Sequence, residues 1–401
     1  LVDEIYVAPG NGGTASEVGI SNVEIASDDL VGLANFAQIN EIDLTIVGPE
    51  VPLVEGITDE FESLNLNCFC PSKKAAQLEG SKEFMKDFLT RHEIPTATYK
   101  SFTDLDTALD YLKQSSIPIV IKADGLAAGK GVTICSTKQD VIKISNEIFN
   151  GKFKSSKKLV LEEFLEGEEA SYFVIVDKYN TKFFGTAQDH KRVGENDTGP
   201  NTGGMGAYSP APIINKILQE KIEKKIIKPT LRAIRKKGSY YKGFLYVGLM
   251  IKKNEPYLIE YNIRMGDPEC QVILPRLETD FLKIIDKAVN NNLKKLKIKW
   301  RKQKCMTIVL CSKGYPGKYK KGKKIKNLEK IKLRKNDFIY HAGTKRVSED
   351  LLSDGGRVLN ITNTGTNFSK IRERIIKIIK KINWKDGFFR KDIGWRVIER
   401  K

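Results

Sequence analysis

The spacing of apolar and polar positions divides the chain into regions of different rhythm. In the first, "EIYVAPG" and "IDLTIVGPE" are short β-branched runs ending in Gly/Pro turns, and "SDDLVGLANFAQIN" between them repeats its apolar residues at helical spacing. "GITDEFESLN" predicts another helix and "NCFCP" a third strand. The runs read as buried parallel strands in an open α/β domain from residue 1 to about 75, whose ligands bind at the C-terminal strand ends, here "PGNGG" and "GPE". "LEGSKEFMKDFLTRHEIP" predicts one helix stopped by Pro95. Hairpins follow: "KLVLEEFLEGEEASYFVIV" gives two strands around an acidic turn, and "GFLYVGLMIKKNEPYLIEYNIR" two more, joined at Lys253 to Pro256. "ETDFLKIIDKAVNN" predicts a helix, and from about residue 303 the chain is strand-rich up to a final basic amphipathic helix, "FSKIRERIIKIIKKI". No internal repeat is present, and the lysine-rich stretch from Lys318 to Lys335 reads as solvated surface.

Composition narrows the class. With 401 residues, 40% hydrophobic and 29% charged, the chain can bury the cores of several domains. No apolar run reaches the length of a membrane span and no signal-peptide pattern opens the chain, so a cytoplasmic protein with no membrane partner is expected. The six cysteines form no CxxC pair and read as reduced, mostly buried thiols, and the three histidines are too few for a histidine-built metal centre. The net charge of +18 follows from lysine enrichment along the whole chain. No helix-turn-helix, RNP-type aromatic motif or zinc finger accompanies it, so no specific nucleic-acid partner is expected; attraction of anionic metabolites is the more modest use of such charge. A monomer is expected.

Four stretches carry candidate chemistry. "PIVIKADGLAAGKGVTI" packs Gly125, Gly129, Lys130 and Gly131 between two strand-like runs. A P-loop would place four residues between its glycines and Ser or Thr after its lysine; here three intervene and Gly131 follows Lys130. The stretch is either a hairpin whose backbone N–H groups fold over a phosphate or a plain flexible hairpin. In "LIEYNIRMGDPE", Glu260, Asn262 and Arg264 share one face of a strand. A carboxylate and an amide so placed suit a hard cation, and Arg264 suits a carboxylate or phosphate; an ordinary half-solvated strand has the same pattern. In "LEEFLEGEEAS" the backbone of Glu163, Phe164 and Leu165 could read an adenine edge and Glu169 the ribose, or the segment is a solvated acidic turn. "QDHKRVGENDTGPNTGGMGAYSP" is a long polar loop whose Asp189, His190, Lys191 and Arg192 suit a small zwitterionic or phosphorylated substrate, with His190 in a structural role.

Together these pieces resemble the ATP-grasp ligases. The order and wording of "LEGSK", "VIKADGLAAGKGV", "EEFLEGEEAS", "QDHKRVG", "GPNTGGMGAYSP", "IEYNIRMGDPE" and "RKDIGWR" are similar, over nearly the whole chain, to the phosphoribosylamine–glycine ligase family. Tyr261, Ile263 and Met265 stand where the family is expected to have phenylalanine, cysteine and phenylalanine, all on the apolar side of the strand. The chain starts at Leu1 inside what resembles the family's first helix-to-strand connection, so the first strand and its phosphate-cradling glycine turn, roughly two dozen residues, lie outside it.

The resemblance implies an α/β and α+β multidomain protein: an incomplete α/β substrate domain over 1–79, an ATP-grasp domain over 80–300 with a lid at about 100–170, and a β-rich domain over 301–401. It implies ligation of glycine to 5-phosphoribosylamine through glycyl phosphate, giving glycinamide ribonucleotide, ADP and phosphate, in purine biosynthesis. Lys82, Lys122 and Glu162 would serve the nucleotide, with Gly125 to Gly131 and Lys130 closing over its phosphates. Glu260 and Asn262 would hold Mg²⁺ or Mn²⁺. Arg264 would stabilise the transferring phosphoryl group or the glycine carboxylate. Asp189, Lys191, Gly203, Gly204 and Gly206 would border the glycine and amine sites, and Gly10, Asn11 and Glu50 would touch the phosphoribosyl group. Two rivals are a different ATP-grasp ligase, which would not require "GPNTGGMGAYSP", and a non-catalytic basic binding protein.

Overall fold

The computed structural model describes residues 2–126, 131–151, 158–236 and 239–399. The first region is the open α/β arrangement that its pattern predicts, with a difference at its start. The strand Ile5–Val7 pairs in parallel only with Ile20–Asn22, while Thr45–Ile46 pairs with Cys68–Phe69 in a second small sheet. Ile5 and Tyr6 are therefore not the buried strand residues expected; they are 42% and 37% exposed, and the Tyr6 ring meets Phe36 edge-on. The helix Leu30–Ile39 is capped by Asp29, whose carboxylate accepts from Gly32 N at 2.9 Å. The helices Glu50–Glu55 and Ile57–Ser63 meet at Gly56, whose φ of 103° only glycine adopts without strain.

The single helix expected from "LEGSKEFMKDFLTRHEIP" is two. Lys73–Gly80 stops at Ser81, which is extended, and the Ser81 hydroxyl then caps Lys82–Arg91 by accepting from Phe84 N at 3.1 Å. Serine here satisfies an orphan N–H of the new helix better than it continues the old one.

A four-stranded antiparallel sheet follows, ordered Tyr99–Phe102, Leu159–Glu163, Ile119–Ala123, Val132–Cys135. The helices Leu105–Gln114 and Lys138–Phe149 pack on it through Ala108, Leu112, Val141 and Ile148. The main sheet has nine strands, running from Glu255–Asn262 through Gly243–Lys252, Glu168–Val176, Thr181–Asp189 and Gly206–Ser209 to Lys304–Ser312, Arg357–Gly365 and Asp337–His341, with Gly387–Phe388 beside Lys304–Ser312. Strands on either side of residue 300 thus share one sheet.

The two strands read around the acidic turn are not a hairpin. Leu159–Glu163 belongs to the four-stranded sheet and Glu168–Val176 to the main one, so the acidic stretch is the crossing between them. Gly167 permits the crossing, because a Cβ there would lie 2.5 Å from Ile251 O. The hairpin joining Gly243–Lys252 to Glu255–Asn262 turns on Lys253 and Asn254, both left-handed, as a two-residue hairpin turn demands. The helix Phe368–Ile379 covers the C-terminal strands with Ile371, Ile375 and Ile378, but is not the last element: Trp395–Glu399 forms a short helix after it. The stretch from Lys318 to Lys335 is mostly exposed and anchors itself with Ile325 and Ile331.

Candidate active site

A cavity of about 1160 Å³ opens where the four-stranded sheet, the Glu255–Asn262 strand, the Ile46–Glu50 loop and the 189–203 loop meet. Tyr340, Arg357 and Arg396 from the C-terminal region complete its wall.

One end is cationic. Lys122, on the Ile119–Ala123 strand, places Nζ 2.9 Å from Glu162 Oε1 and donates to Ile259 O at 3.2 Å. The other Glu162 oxygen lies 3.0 Å from Lys86 Nζ, and all three residues are at most 3% exposed. Lys86 also donates to Thr96 Oγ1 and Ala97 O at 2.8 and 3.2 Å, and burial pulls its ammonium down to about 8. Sequence reading did not single out Lys86; in "KEFMKDF" it is one of two similar lysines on a helix. Lys82 donates through Nζ to Gly125 O at 2.7 Å, and burial pulls its ammonium below the usual range. Asp124 accepts from the backbone N of Lys82 at 2.7 Å and from Ser81 Oγ at 3.2 Å, so the loop's first residues are tied to the start of a helix. Gly131 closes the loop by accepting from Ala123 N at 2.8 Å. Gly129 and Lys130 lie outside the described residues.

The crossing from Glu163 to Glu169 forms the neighbouring wall. Glu163 N donates to Thr98 O at 2.9 Å, and Glu163, Phe164 and Leu165 all line the cavity. Glu169 reaches Lys191 Nζ at 3.5 Å.

Beside this cluster, on the strand that Lys122 touches through Ile259 O, stand Glu260 and Asn262, with Arg264 just beyond. Lys191 Nζ is 3.3 Å from Glu260 Oε1. Chiefly through Lys191, against burial, and with help from Lys122, the Glu260 carboxyl is held down at about 2. Burial works against the charge of Lys191, yet Glu260 and Glu169 keep its ammonium well above the usual range. The Asn262 amide nitrogen, Nδ2, is buried with no hydrogen-bond partner. An ionised carboxylate and an amide two residues apart on one strand face fit a hard divalent cation, which would take the Glu260 carboxylate and the Asn262 amide oxygen.

Arg264 is gripped by the first domain. Its Nε lies 3.1 Å from Glu50 Oε2, its Nη2 donates to Glu79 Oε1 at 3.0 Å, and its Nη1 donates to Met265 O at 3.1 Å. Glu79 Oε2 also accepts from Ile263 N at 2.8 Å, and burial pushes the Glu79 carboxyl up to about 7. Glu50, expected at the phosphoribosyl group, thus faces Arg264 at the cavity wall.

Asp189, Lys191 and Gly203 line the cavity; Gly204 and Gly206 are not among its lining residues. Gly204 sits behind, where a Cβ would meet Pro268 Cδ at 2.4 Å. Gly206 opens a strand against Ile308, where a Cβ would lie 2.6 Å from Thr307 O, so its smallness serves the sheet. Gly203 is held from the C-terminal region: its N donates to the Tyr315 hydroxyl at 3.0 Å and its O accepts from Arg357 Nη1 at 2.7 Å. Gly10 and Asn11 are not brought to the cavity. Asn11 Nδ2 donates to His341 O at 3.0 Å, its Oδ1 accepts from Gly13 N at 2.8 Å, and the missing Cβ of Gly10 leaves room for Asn22. His190 is fully buried, accepts at Nε2 from Gly394 N at 2.9 Å, and is lowered by burial, a structural imidazole.

Residues that sequence reading missed come from far along the chain. Arg390 and Arg396, within the quoted "RKDIGWR", both pair with Asp197 and so brace the 189–203 loop. Glu269, within "IEYNIRMGDPE", is 2% exposed at the cavity wall.

Comparison with known proteins agrees along the whole length. Family models described as phosphoribosylglycinamide synthetase match in order: the N domain over residues 1–79, the ATP-grasp (A) domain over 80–270 and the C domain over 305–396. The chain is 47% identical to the phosphoribosylamine–glycine ligase of Vibrio vulnificus strain CMCP6 and 46% to that of Escherichia coli K12, covering all of this chain and 94% of each relative. The crystal structure of phosphoribosylamine–glycine ligase from Thermotoga maritima superposes with a TM-score of 0.83 at 32% identity, over 97% of this chain and 93% of that one. The biotin carboxylase domain of Hydrogenobacter thermophilus 2-oxoglutarate carboxylase, in complex with MgADP, ADP and bicarbonate, shares the fold with a TM-score of 0.75 at 14% identity, over 99% and 89% of the two chains.

Proposed function

Because this chain belongs to the phosphoribosylamine–glycine ligase family, we propose that its cavity is where ATP, glycine and 5-phosphoribosylamine meet and are joined, as a step of purine biosynthesis. The observation that carries this reading is that one cavity, lined by Lys122 and Glu162 of the buried Lys122–Glu162–Lys86 cluster, also holds the Glu260/Asn262 pair and Arg264. A carboxylate does not react with an amine unaided, because its leaving group is too poor. In the ligation a glycine carboxylate oxygen attacks the γ-phosphorus of ATP, the bond to the β-phosphate oxygen breaks, and ADP leaves. The amine nitrogen of phosphoribosylamine then attacks the carbonyl carbon of glycyl phosphate. The amide C–N bond forms as the C–O bond to phosphate breaks, and the amine proton departs with the phosphate.

The chain contributes positioning and charge. Lys82 and Lys122 hold the nucleotide, with the backbone of Phe164 and Leu165 and the Glu169 carboxylate beside its base and ribose. The loop from Gly125 to Gly131, with Lys130, closes over the phosphates and excludes water. Arg264, steadied by Glu50 and Glu79, faces the transferring phosphoryl group or the glycine carboxylate. Glu260 and Asn262 hold a divalent cation, Mg²⁺ or Mn²⁺, which when bound offsets phosphate charge. We place domain boundaries near residues 79/80 and 300/301, and read the protein as a cytoplasmic monomer; its free, mostly buried cysteines accord with a reducing compartment.

Glycine labelled with oxygen-18 in its carboxylate tests the chemistry. One label should appear in the released phosphate; unlabelled phosphate with continued product formation would rule out the acyl phosphate.

A further inference from the structure

A second cavity, of about 700 Å³, shares no lining residue with the ligase cavity. It lies between the turn at Tyr179 and Asn180, the segment Leu293–Lys295 and the helix Lys228–Lys236. Lys182, Lys228, Arg232, Arg235, Lys236 and Lys294 line it, and no acid is among the described residues of its wall. Among the described residues none of these six cations forms an ion pair. Lysine enrichment alone does not account for this. The chain sets 50 Asp and Glu against 68 Lys and Arg, enough acid to pair most basic clusters. Lys221 and Lys225, earlier on the same run of helix, both pair with Glu255.

The walls are held in place by groups that leave the cations free. Asp177 is fully buried; its Oδ1 accepts from Tyr179 N at 2.8 Å and its Oδ2 from Leu293 N at 3.0 Å. One carboxylate thus ties the turn to the Leu293–Lys295 segment, and Lys182 Nζ donates to Lys294 O at 3.1 Å across the same seam. On the helix, Lys228, Arg232, Arg235 and Lys236 stand at i, i+4, i+7 and i+8 and share one face, while Ile227 and Leu231 are buried at the floor of the groove. An unbroken α-helix would put Lys221, Lys225, Lys228 and Arg232 in one stripe. A wider π-helical turn, Glu223–Ile227, intervenes, and Glu255 neutralises the first two and not the last two. Glu223, the acid nearest Lys228 along this helix, accepts from the Tyr172 hydroxyl at 2.7 Å and makes no ion pair among the described residues.

Unpaired cations gathered round one hollow repel one another and draw in an anion. We propose that this groove binds a compact polyphosphate anion, two or more linked phosphate groups, at a site separate from the ligase cavity. The planar fork of arginine grips phosphate oxygens two at a time, and Arg232 and Arg235 stand one helical turn apart with the four lysines around them. A hollow of about 700 Å³ has the size of a small-molecule pocket. Its cations surround one point instead of following a track, which favours a small anion over a nucleic-acid strand. Tyr179, 61% exposed, offers an aromatic surface on which a base can stack, so the phosphates belong either to inorganic polyphosphate or to a nucleotide.

Calorimetric titration of the full chain with inorganic triphosphate, at fixed salt, tests the assignment in the double variant Arg232→Gln/Arg235→Gln. Both arginines are exposed, so the fold is expected to survive the change, and Lys294→Gln serves as an independent variant on the opposite wall. The expected result is a rise of about tenfold or more in the dissociation constant for triphosphate at the groove, with KM for ATP and for glycine within about twofold. Tyr179→Ala separates the two sources of the anion. Weaker ADP binding at the groove with unchanged triphosphate binding identifies a nucleotide, and no change in either identifies inorganic polyphosphate. The same triphosphate isotherm in the variants and the unaltered chain overturns the proposal. So does sulfate binding as tight as that of triphosphate, which would mark general attraction to a basic surface, and so does a groove that takes single-stranded RNA or an acidic peptide but no triphosphate.

Discussion

Lys191 Nζ lies 3.3 Å from Glu260 Oε1, although 69 residues separate the two in sequence. The pair joins the long polar loop to the strand bearing the proposed metal ligands, and it keeps Glu260 ionised with its carboxyl at about 2. Glu260→Gln preserves the shape and removes the charge. It is expected to lower kcat/KM for ATP by about 100-fold or more and to weaken the response to Mg²⁺ in a metal titration of ADP release. A wild-type metal response would take Glu260 out of the metal site.

Lys86 backs Glu162 beside the proposed nucleotide site. Lys86→Met leaves the buried Glu162 with Lys122 as its remaining close ammonium partner. Denaturant unfolding should show a loss of roughly 3 kcal/mol. Steady-state kinetics should show a raised KM for ATP with KM for glycine unchanged, since Glu162 fixes Lys122 and not the substrate loop. A uniform loss of both affinities would mean that Lys86 only stabilises the fold.

Arg264 uses three nitrogens on three partners, Glu50, Glu79 and Met265 O. Lysine cannot reproduce that planar fork. Arg264→Lys should therefore fall by about 100-fold in kcat/KM for ATP-dependent ligation, close to the effect of Arg264→Ala. Rescue of activity by lysine would show that only a positive charge is needed there.

His341 joins the first domain to the C-terminal strands. Its Nδ1 is 3.0 Å from Thr344 Oγ1, and Gly13 packs so close that a Cβ would lie 2.6 Å from the ring. Burial, with some help from Arg346, lowers the imidazole to about 4. The unfolded chain therefore binds a proton between about pH 6.5 and pH 4 that the folded chain does not, and stability drops as pH falls through that window, by up to about 3 kcal/mol. His341→Gln should flatten the acid limb of a melting-temperature profile over the same window. An unchanged limb would place the acid sensitivity elsewhere.

The α/β alternation of the first region, the glycine-rich hairpin and the hairpin turning on Lys253 and Asn254 were legible because each is announced by local periodicity and turn residues. Sheet membership was not, because Leu159–Glu163 and Glu168–Val176 look alike as strands and only distant partners assign them to different sheets. The same limit hides Lys86, whose partners Glu162 and Thr96 lie on other elements. It hides Arg390 as well, buried against Asp197 193 residues earlier. Asn11 was misjudged for a related reason: a Gly-Asn-Gly turn looks suited to phosphate, and only the fold shows its side chain spent on His341 O and its own turn.

The most direct test of the whole account is ADP release by this chain with Mg²⁺, ATP, glycine and freshly generated 5-phosphoribosylamine, omitting each substrate in turn and weighing the product by mass spectrometry. The account predicts release that needs all three substrates and a product of the mass of glycinamide ribonucleotide. Release that continues without glycine or without the amine, and yields no such product, would contradict it.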